Sequence, residues 1–292
     1  MVIINCDLFA KQIEENGVKH FPIWKKGSFA ALRYGKFFRK LHLYKAGNIN
    51  PDLNNLDSED CIIVFDSGIE ENSVLKWFAN KYSDKRLIFY YWNPVFTGIK
   101  PNKIPSKFEL WSYSPSDCKK YGMKYNSTFY FDCFGKTHVD MQRDVFFIGK
   151  DKGRGKRLRK IEKFFNLDKL SYLFYLVPTH PRLKSKKSQK PRIPYEKMLD
   201  YINESRAVLD YYIDPQAGLS LRTMESIFFE KKLITNNETI VGYDIYNVQN
   251  VYTIEDLGKR NLKEFLASPF VSISEEIRNK YLFSNWIKRF FI

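Results

Sequence analysis

The sequence predicts an α/β protein made of two consecutive Rossmann-like series. Three observations carry this prediction. Short apolar runs recur along the chain, stretches of helical period separate them, and the alternation starts afresh after Gly135, Lys136 and Thr137 interrupt it. In the first series the runs at 2–5, 61–65, 87–92 and 109–113 read as strands, with helices over 70–82 and 115–121. In the second, strands fall at 145–148, 173–177, 208–213 and 232–235, and helices at 154–165, 194–205 and 223–230. The runs are rich in Val, Ile, Phe and Tyr and do not alternate with polar residues, as expected of parallel strands covered on both faces. This organisation places one domain over 1–138 and a second over 139–280. Residues 178–194 hold four prolines among many Lys, Arg and Ser, so they read as an exposed loop.

Composition narrows the class. With 292 residues the chain has room for two cores, and 44% hydrophobic with 17% aromatic residues is a globular composition. No apolar run approaches the roughly 20 residues of a membrane span. Residues 1–5 meet Asp7 without a basic leader or a small-residue cleavage site, so export is not expected. The four cysteines, Cys6, Cys61, Cys118 and Cys133, are scattered and read as reduced thiols of a cytoplasmic protein.

A formal net charge of +15 calls for an acidic partner: nucleic acid, nucleotide phosphates or the inner membrane leaflet. The cations cluster at 25–45, 150–163 and 182–192, with no zinc-finger spacing, RNP-like aromatic signature or helix-turn-helix beside them. A nucleic-acid or polyanion-binding α/β protein is therefore the alternative reading and not the first one. Residues 24–43 interleave aromatics, aliphatics and cations, which fits a peripheral helix at the inner leaflet or an amphipathic helix covering the first sheet.

The stretch 208–237 is the most informative. It reads as strand, tight loop, helix, strand. Gly218 permits a sharp turn, Leu219 follows, and Ser220 and Arg222 open a helix whose N-terminus, with a hydroxyl and a guanidinium, suits a phosphate. Glu225, three residues after Arg222, shares its face. Gln216 in the same loop is a further candidate for donor phosphate or sugar. The loop after the 145–148 strand carries Gly149, Lys150, Lys152 and Arg154 ahead of a helix, an arrangement that offers charge to a diphosphate although it is neither a P-loop nor GxGxxG. In the first series Asp66 ends a strand and projects from the carboxyl edge of a parallel sheet, as a catalytic base would. An N-cap or turn aspartate is the other reading. Asp7 is a weaker rival, and His20 and His42 are poorer ones. Tyr91, Trp92 and Asn93 end the next strand, where aromatic faces suit an acceptor sugar and core packing is the competing use. Residues 243–247 are a further loop that could face a base or sugar. No Asp-x-Asp pair and no His/Cys cluster with zinc spacing occurs, so no metal or other cofactor is expected.

The pattern from Gly218 to Asn237 resembles the donor half of GT-B glycosyltransferases, in which a Gly-rich loop precedes a helix bearing a ribose-binding glutamate, matched here by Glu225. It looks closer still to small bacterial glycosyltransferases of lipopolysaccharide or capsular polysaccharide biosynthesis. That likeness is carried further by the motifs at 61–67, 90–94, 111–122, 144–149 and 281–286. The resemblance implies two Rossmann-like domains facing a central cleft, a nucleotide diphosphate-sugar donor, and a saccharide or lipid-linked saccharide acceptor. It also implies a C-terminal helix over 281–292 packing back on the first domain, and cytoplasmic work, with peripheral contact at the membrane as a separate expectation. The larger retaining families place a second glutamate eight residues before the ribose-binding one, where this chain has Ala217. Inversion without a metal is the expected chemistry.

Overall fold

A computed structural model describes residues 1–25, 49–69, 72–179, 190–213 and 218–292. The chain divides into two compact units, Met1–Ser127 and Thr128–Ile292. Each holds one parallel sheet.

In the first unit, β1 (Val2–Ile4), β2 (Lys19–Phe21), β3 (Cys61–Phe65), β4 (Arg86–Tyr91), β5 (Phe108–Ser112) and β6 (Lys124–Tyr125) form a six-stranded sheet in the order β2-β1-β3-β4-β5-β6. All pairs are parallel. Helices α1 (Ala10–Glu15), α2 (Ser73–Lys81) and α3 (Pro115–Tyr121) connect them. The core on one face joins Val2, Ile4, Ile62, Val64, Phe89 and Tyr91 to Val74, Leu75 and Phe78 of α2. Strand β3 is buried at every position, which is why its sequence shows no alternation. Helix α3 has a complete set of end signals: Ser114 accepts from the Asp117 amide, Pro115 opens the helix, and Gly122 closes it at φ 66°.

In the second unit, β7 (Arg143–Lys150), β8 (Tyr172–Val177), β9 (Ser205–Asp210), β10 (Lys232–Thr235) and β11 (Val251–Thr253) give a five-stranded parallel sheet in the order β11-β10-β9-β7-β8. The helices are α4 (Arg154–Leu167), α5 (Tyr195–Asn203), α6 (Leu221–Phe228), α7 (Leu262–Ala267), α8 (Glu275–Lys280) and α9 (Phe283–Trp286). Leu158, Ile161 and Phe165 of α4 pack with Val145, Phe147, Leu209 and Ile234 of the sheet.

Several boundaries differ from expectation. Strand β9 begins at Ser205 and ends at Asp210, because Ser205 already pairs with Arg143 and shortens the helix before it. Strands β2, β6 and β11 are two or three residues long and were not anticipated. The first unit ends at Ser127, and residues 128–138 belong to the second. There Phe129 and Phe131 pack on Phe283, and Phe129 also on Trp286, which holds the 281–292 segment within the second unit. Tyr130 and Phe283 are joined by a backbone hydrogen bond of 2.8 Å. Residues 26–43 of the amphipathic stretch expected over 24–43, His42 among them, and most of the 178–194 loop lie outside the described residues.

Candidate functional site

In each sheet the strand order reverses at one place, and crevices for ligands open there beyond the carboxyl ends. In the second unit that place lies between β7 and β9, because β7 is followed by β8 on one side and β9 on the other. The described residues expected to bind a donor lie at the end of β7, in the loops that leave β7 and β9, and on the helices that follow them.

The β7 loop turns through Lys152 at φ 40° and Gly153 at φ 83°, and α4 starts at Arg154. Asp151 fixes the turn, its Oδ1 accepting from the Gly155 amide at 3.0 Å. Arg154 folds back so that its guanidinium donates to the Lys150 carbonyl at 3.3 Å. A Cβ on Gly149 would lie 2.9 Å from that guanidinium and 3.1 Å from the Phe147 ring, so a side chain there would push the arginine aside. Burial holds the Arg154 guanidinium below its ordinary value, with Asp210 opposing the shift and Arg222 adding to it. Lys152 is likewise held down by burial, then by Arg154 and Lys150. Cations that depress one another mark a place where an anion would be welcome.

The β9 side supplies the rest. Ser220 caps α6, its hydroxyl accepting from the amides of Arg222 at 2.9 Å and Thr223 at 3.2 Å. The same hydroxyl donates to Asp210, the last residue of β9, which also accepts from Thr223 at 3.2 Å. The Ser220 amide donates to the Tyr212 hydroxyl at 2.8 Å. Asp210 is pushed above its ordinary value by burial, and the Ser220 bond and the Arg222 charge oppose the shift.

Arg222 is bonded to Glu225 Oε2, and its guanidinium rests on the Met198 sulfur at 3.3 and 3.4 Å. Glu225 is fully buried. Its Oε1 accepts from Tyr195 at 2.9 Å, and the Tyr195 hydroxyl is 3.0 Å from that of Tyr130. Burial pushes the Glu225 carboxyl up to about 7 against the pull of Arg222. Both oxygens of the carboxylate are thus occupied by protein donors, and Glu225 braces the arginine from beneath. Leu219 is buried and its carbonyl accepts from Thr128, which makes it a spacer between Gly218 and Ser220. Gln216 lies outside the described residues.

Asp210, Tyr212, Thr223, Tyr195 and Tyr130 were not expected in this network. Asp210 could have been found by the logic applied to Asp66, since it ends an apolar strand just before a glycine-bearing loop. Tyr195 and Tyr130 have no local signal, being far from Glu225 in sequence.

In the first unit the reversal lies between β1 and β3. Asn5, at φ 72°, bridges the two strand ends by donating to the carbonyls of Phe65 at 3.2 Å and of Ser67. Asp66 is buried, and accepts from the Trp92 amide at 3.1 Å, the Asn93 amide at 3.2 Å and the Asn93 side chain at 3.1 Å. The expected base is therefore brought together with two of the expected acceptor residues. Trp92 stacks on Phe9 at 5.8 Å, and Asn93 is exposed. Tyr91 is different: it is fully buried with its hydroxyl given to the Ile99 carbonyl at 2.8 Å, so the core has taken the third acceptor candidate. Asp7 is exposed and lies 3.4 Å from the buried His20 Nε2. Residues 243–247 are held by Tyr281, whose hydroxyl donates to Asp244 at 2.7 Å, and by Lys280 at 3.0 Å from the same carboxylate.

Burial pushes the Asp66 carboxyl up to about 7, the bonds from Asn93 and Trp92 opposing it. A folded-state value above the unfolded one means the folded protein holds a proton that the unfolded chain has shed. Stability from this group is full below about pH 4 and is lost as pH rises toward 7, with a ceiling of roughly 4 kcal/mol. The difference in unfolding free energy between the native chain and Asp66→Asn, measured by urea titration, is expected to change in that sense across the window. A difference independent of pH there would show that the carboxyl is not raised.

Among the described residues no group of three or more His, Cys, Asp or Glu side chains could hold a metal ion, and no helix is long and apolar enough to cross a membrane. No protein-family model and no curated protein sequence matches the chain. Solved structures do. The chain is similar to the crystal structure of the DNA-modifying enzyme β-glucosyltransferase, with a TM-score of 0.55 and 15% identity over 99% of this chain and 98% of that one. It is also similar to the apo form of the lipopolysaccharide outer core galactosyltransferase WaaB, with a TM-score of 0.47 and 13% identity over 94% of this chain and 83% of that one. At such identities the likeness concerns the fold. Two parallel α/β units of the GT-B type are the architecture of this protein.

Proposed function

We propose that this chain is a glycosyltransferase that moves a sugar from a nucleotide diphosphate-sugar to a saccharide or lipid-linked saccharide, in assembly of a surface polysaccharide such as lipopolysaccharide or capsule. One observation carries the reading. Arg154 and Arg222 come from separate helix N-termini to the reversal point of the second sheet, next to Asp210 and Ser220. There they suit a diphosphate, and they stabilise it as it leaves, so no metal is needed for charge neutralisation. Glu225 serves donor binding through Arg222. Asp66 acts as base: it takes the proton of the acceptor hydroxyl as that oxygen bonds to the anomeric carbon, while the bond to the diphosphate breaks on the opposite face and inverts the centre.

Thermal unfolding with uridine, guanosine, cytidine and thymidine diphosphates and their sugars, in the presence of a chelator, tests this, because a ligand of the folded state raises the midpoint. One base is expected to stabilise selectively. No shift with any of them would remove the donor assignment. The net charge of +15 favours a second reading, a nucleic-acid or polyanion-binding protein. Under that reading an oligonucleotide stabilises the chain, the effect falls steeply with salt, and Glu225→Ala leaves it unchanged.

A further inference from the structure

Helix α4 buries Leu158, Ile161 and Phe165. With about 100° between successive residues, the side opposite carries Lys156, Lys160, Lys163 and Leu167 in one line, flanked by Arg157 and Phe164. All six are exposed, Leu167 to 79%. A solvated helix face ordinarily mixes charges of both signs in neighbouring turns. Here no described carboxylate lies in ion-pairing range of any of the four cations. The single acid of the helix, Glu162, sits on its flank. Beside Phe164 runs the turn at Gly258, whose Cβ position is 3.5 Å from the ring, and it adds the exposed Lys259.

We propose that the outward face of α4 is a docking surface for an anionic lipid bilayer. Charge complementarity sets the sign of the partner. Leu167 and Phe164 set its kind: a leucine in line with three lysines gains from an acyl boundary beneath the headgroups, and has nothing to bury against on a phosphodiester backbone. From Lys156 to Leu167 the line is roughly 17 Å long, so the helix lies flat on the surface with its cations at headgroup level. Each cation is expected to raise partitioning about fivefold on an anionic leaflet. The lipid-linked acceptor proposed above would be found on such a surface, but the docking face itself rests on no catalytic step.

The test is co-sedimentation of the full chain with vesicles of phosphatidylcholine alone and of phosphatidylcholine mixed with phosphatidylglycerol. The native chain is expected to bind only the mixed vesicles. The triple variant K156E/K160E/K163E is expected to lose binding more than tenfold, and Leu167→Gln severalfold. All four positions are exposed, and nucleotide-induced stabilisation should be unchanged in both variants, which keeps this outcome separate from that of the donor assignment. Equal binding of the native chain to both vesicle types, or native-like binding by the triple variant, would overturn the proposal. So would a triple variant that loses affinity for a DNA duplex while the native chain ignores vesicles, since the face would then be a nucleic-acid surface.

Discussion

Arg222→Ala is expected to lower affinity for the preferred nucleoside diphosphate by about 10- to 100-fold, the size of one or two charge-assisted hydrogen bonds. Its cost to folding should be smaller. The carboxyl left behind, Glu225, is already pushed up to about 7 by burial, and without its arginine it takes a proton and becomes neutral. Isothermal titration of the native and variant proteins with the diphosphate measures the first effect, and urea unfolding the second. Arg222→Lys separates charge from geometry: the Glu225 bond and the Met198 contact both use the guanidinium plane, so lysine should recover little of the loss. Undiminished affinity in Arg222→Ala would place the diphosphate elsewhere.

The second large effect runs the other way. Glu225→Ala is expected to cost about 3 kcal/mol of stability, because an arginine cannot discharge itself as a carboxyl can, and its side chain is only 15% exposed. Donor affinity should fall as well, since Arg222 loses the brace that fixes its orientation. Tyr195→Phe removes the bond to the other carboxylate oxygen and should give a smaller loss of the same kind, near 1 kcal/mol. Chemical unfolding of the two variants at one pH checks the order. If Tyr195→Phe destabilised as much as Glu225→Ala, the tyrosine would be acting through core packing and not through the carboxylate.

How much of this was legible in the sequence follows from how local each signal is. Strands β3, β4 and β10 are buried at most positions and β7 at its centre, Val145–Phe147, so each stands out by a short apolar run. Strand β2, Lys-His-Phe, carries no such mark. It becomes a strand because β1 offers it a parallel edge, which is information held by the partner and not by the segment. The site divides in the same way. That Ser220, Arg222 and Arg154 sit at helix N-termini was readable because helix starts after strands have a local grammar. That Glu225 points inward, to a tyrosine on another helix, was not, and neither was Tyr91 facing the core while Trp92 beside it does not. A strand alternates its faces, and which face is inner depends on what covers it.

The segment between β9 and α6 is tied at its base. Asp210 is joined to Ser220, the Tyr212 hydroxyl accepts the Ser220 amide, and the Tyr212 backbone exchanges bonds of 2.6 and 3.1 Å with the Asn236 side chain. The end of β9 and the start of α6 are therefore held to each other by a clamp made of Asp210, Tyr212, Ser220 and Asn236. The entropic cost of holding the two ends together is offset by these bonds. The start of α6, and with it Arg222 and its brace Glu225, is thus fastened to the sheet by bonds that belong to β9, Tyr212 and Asn236.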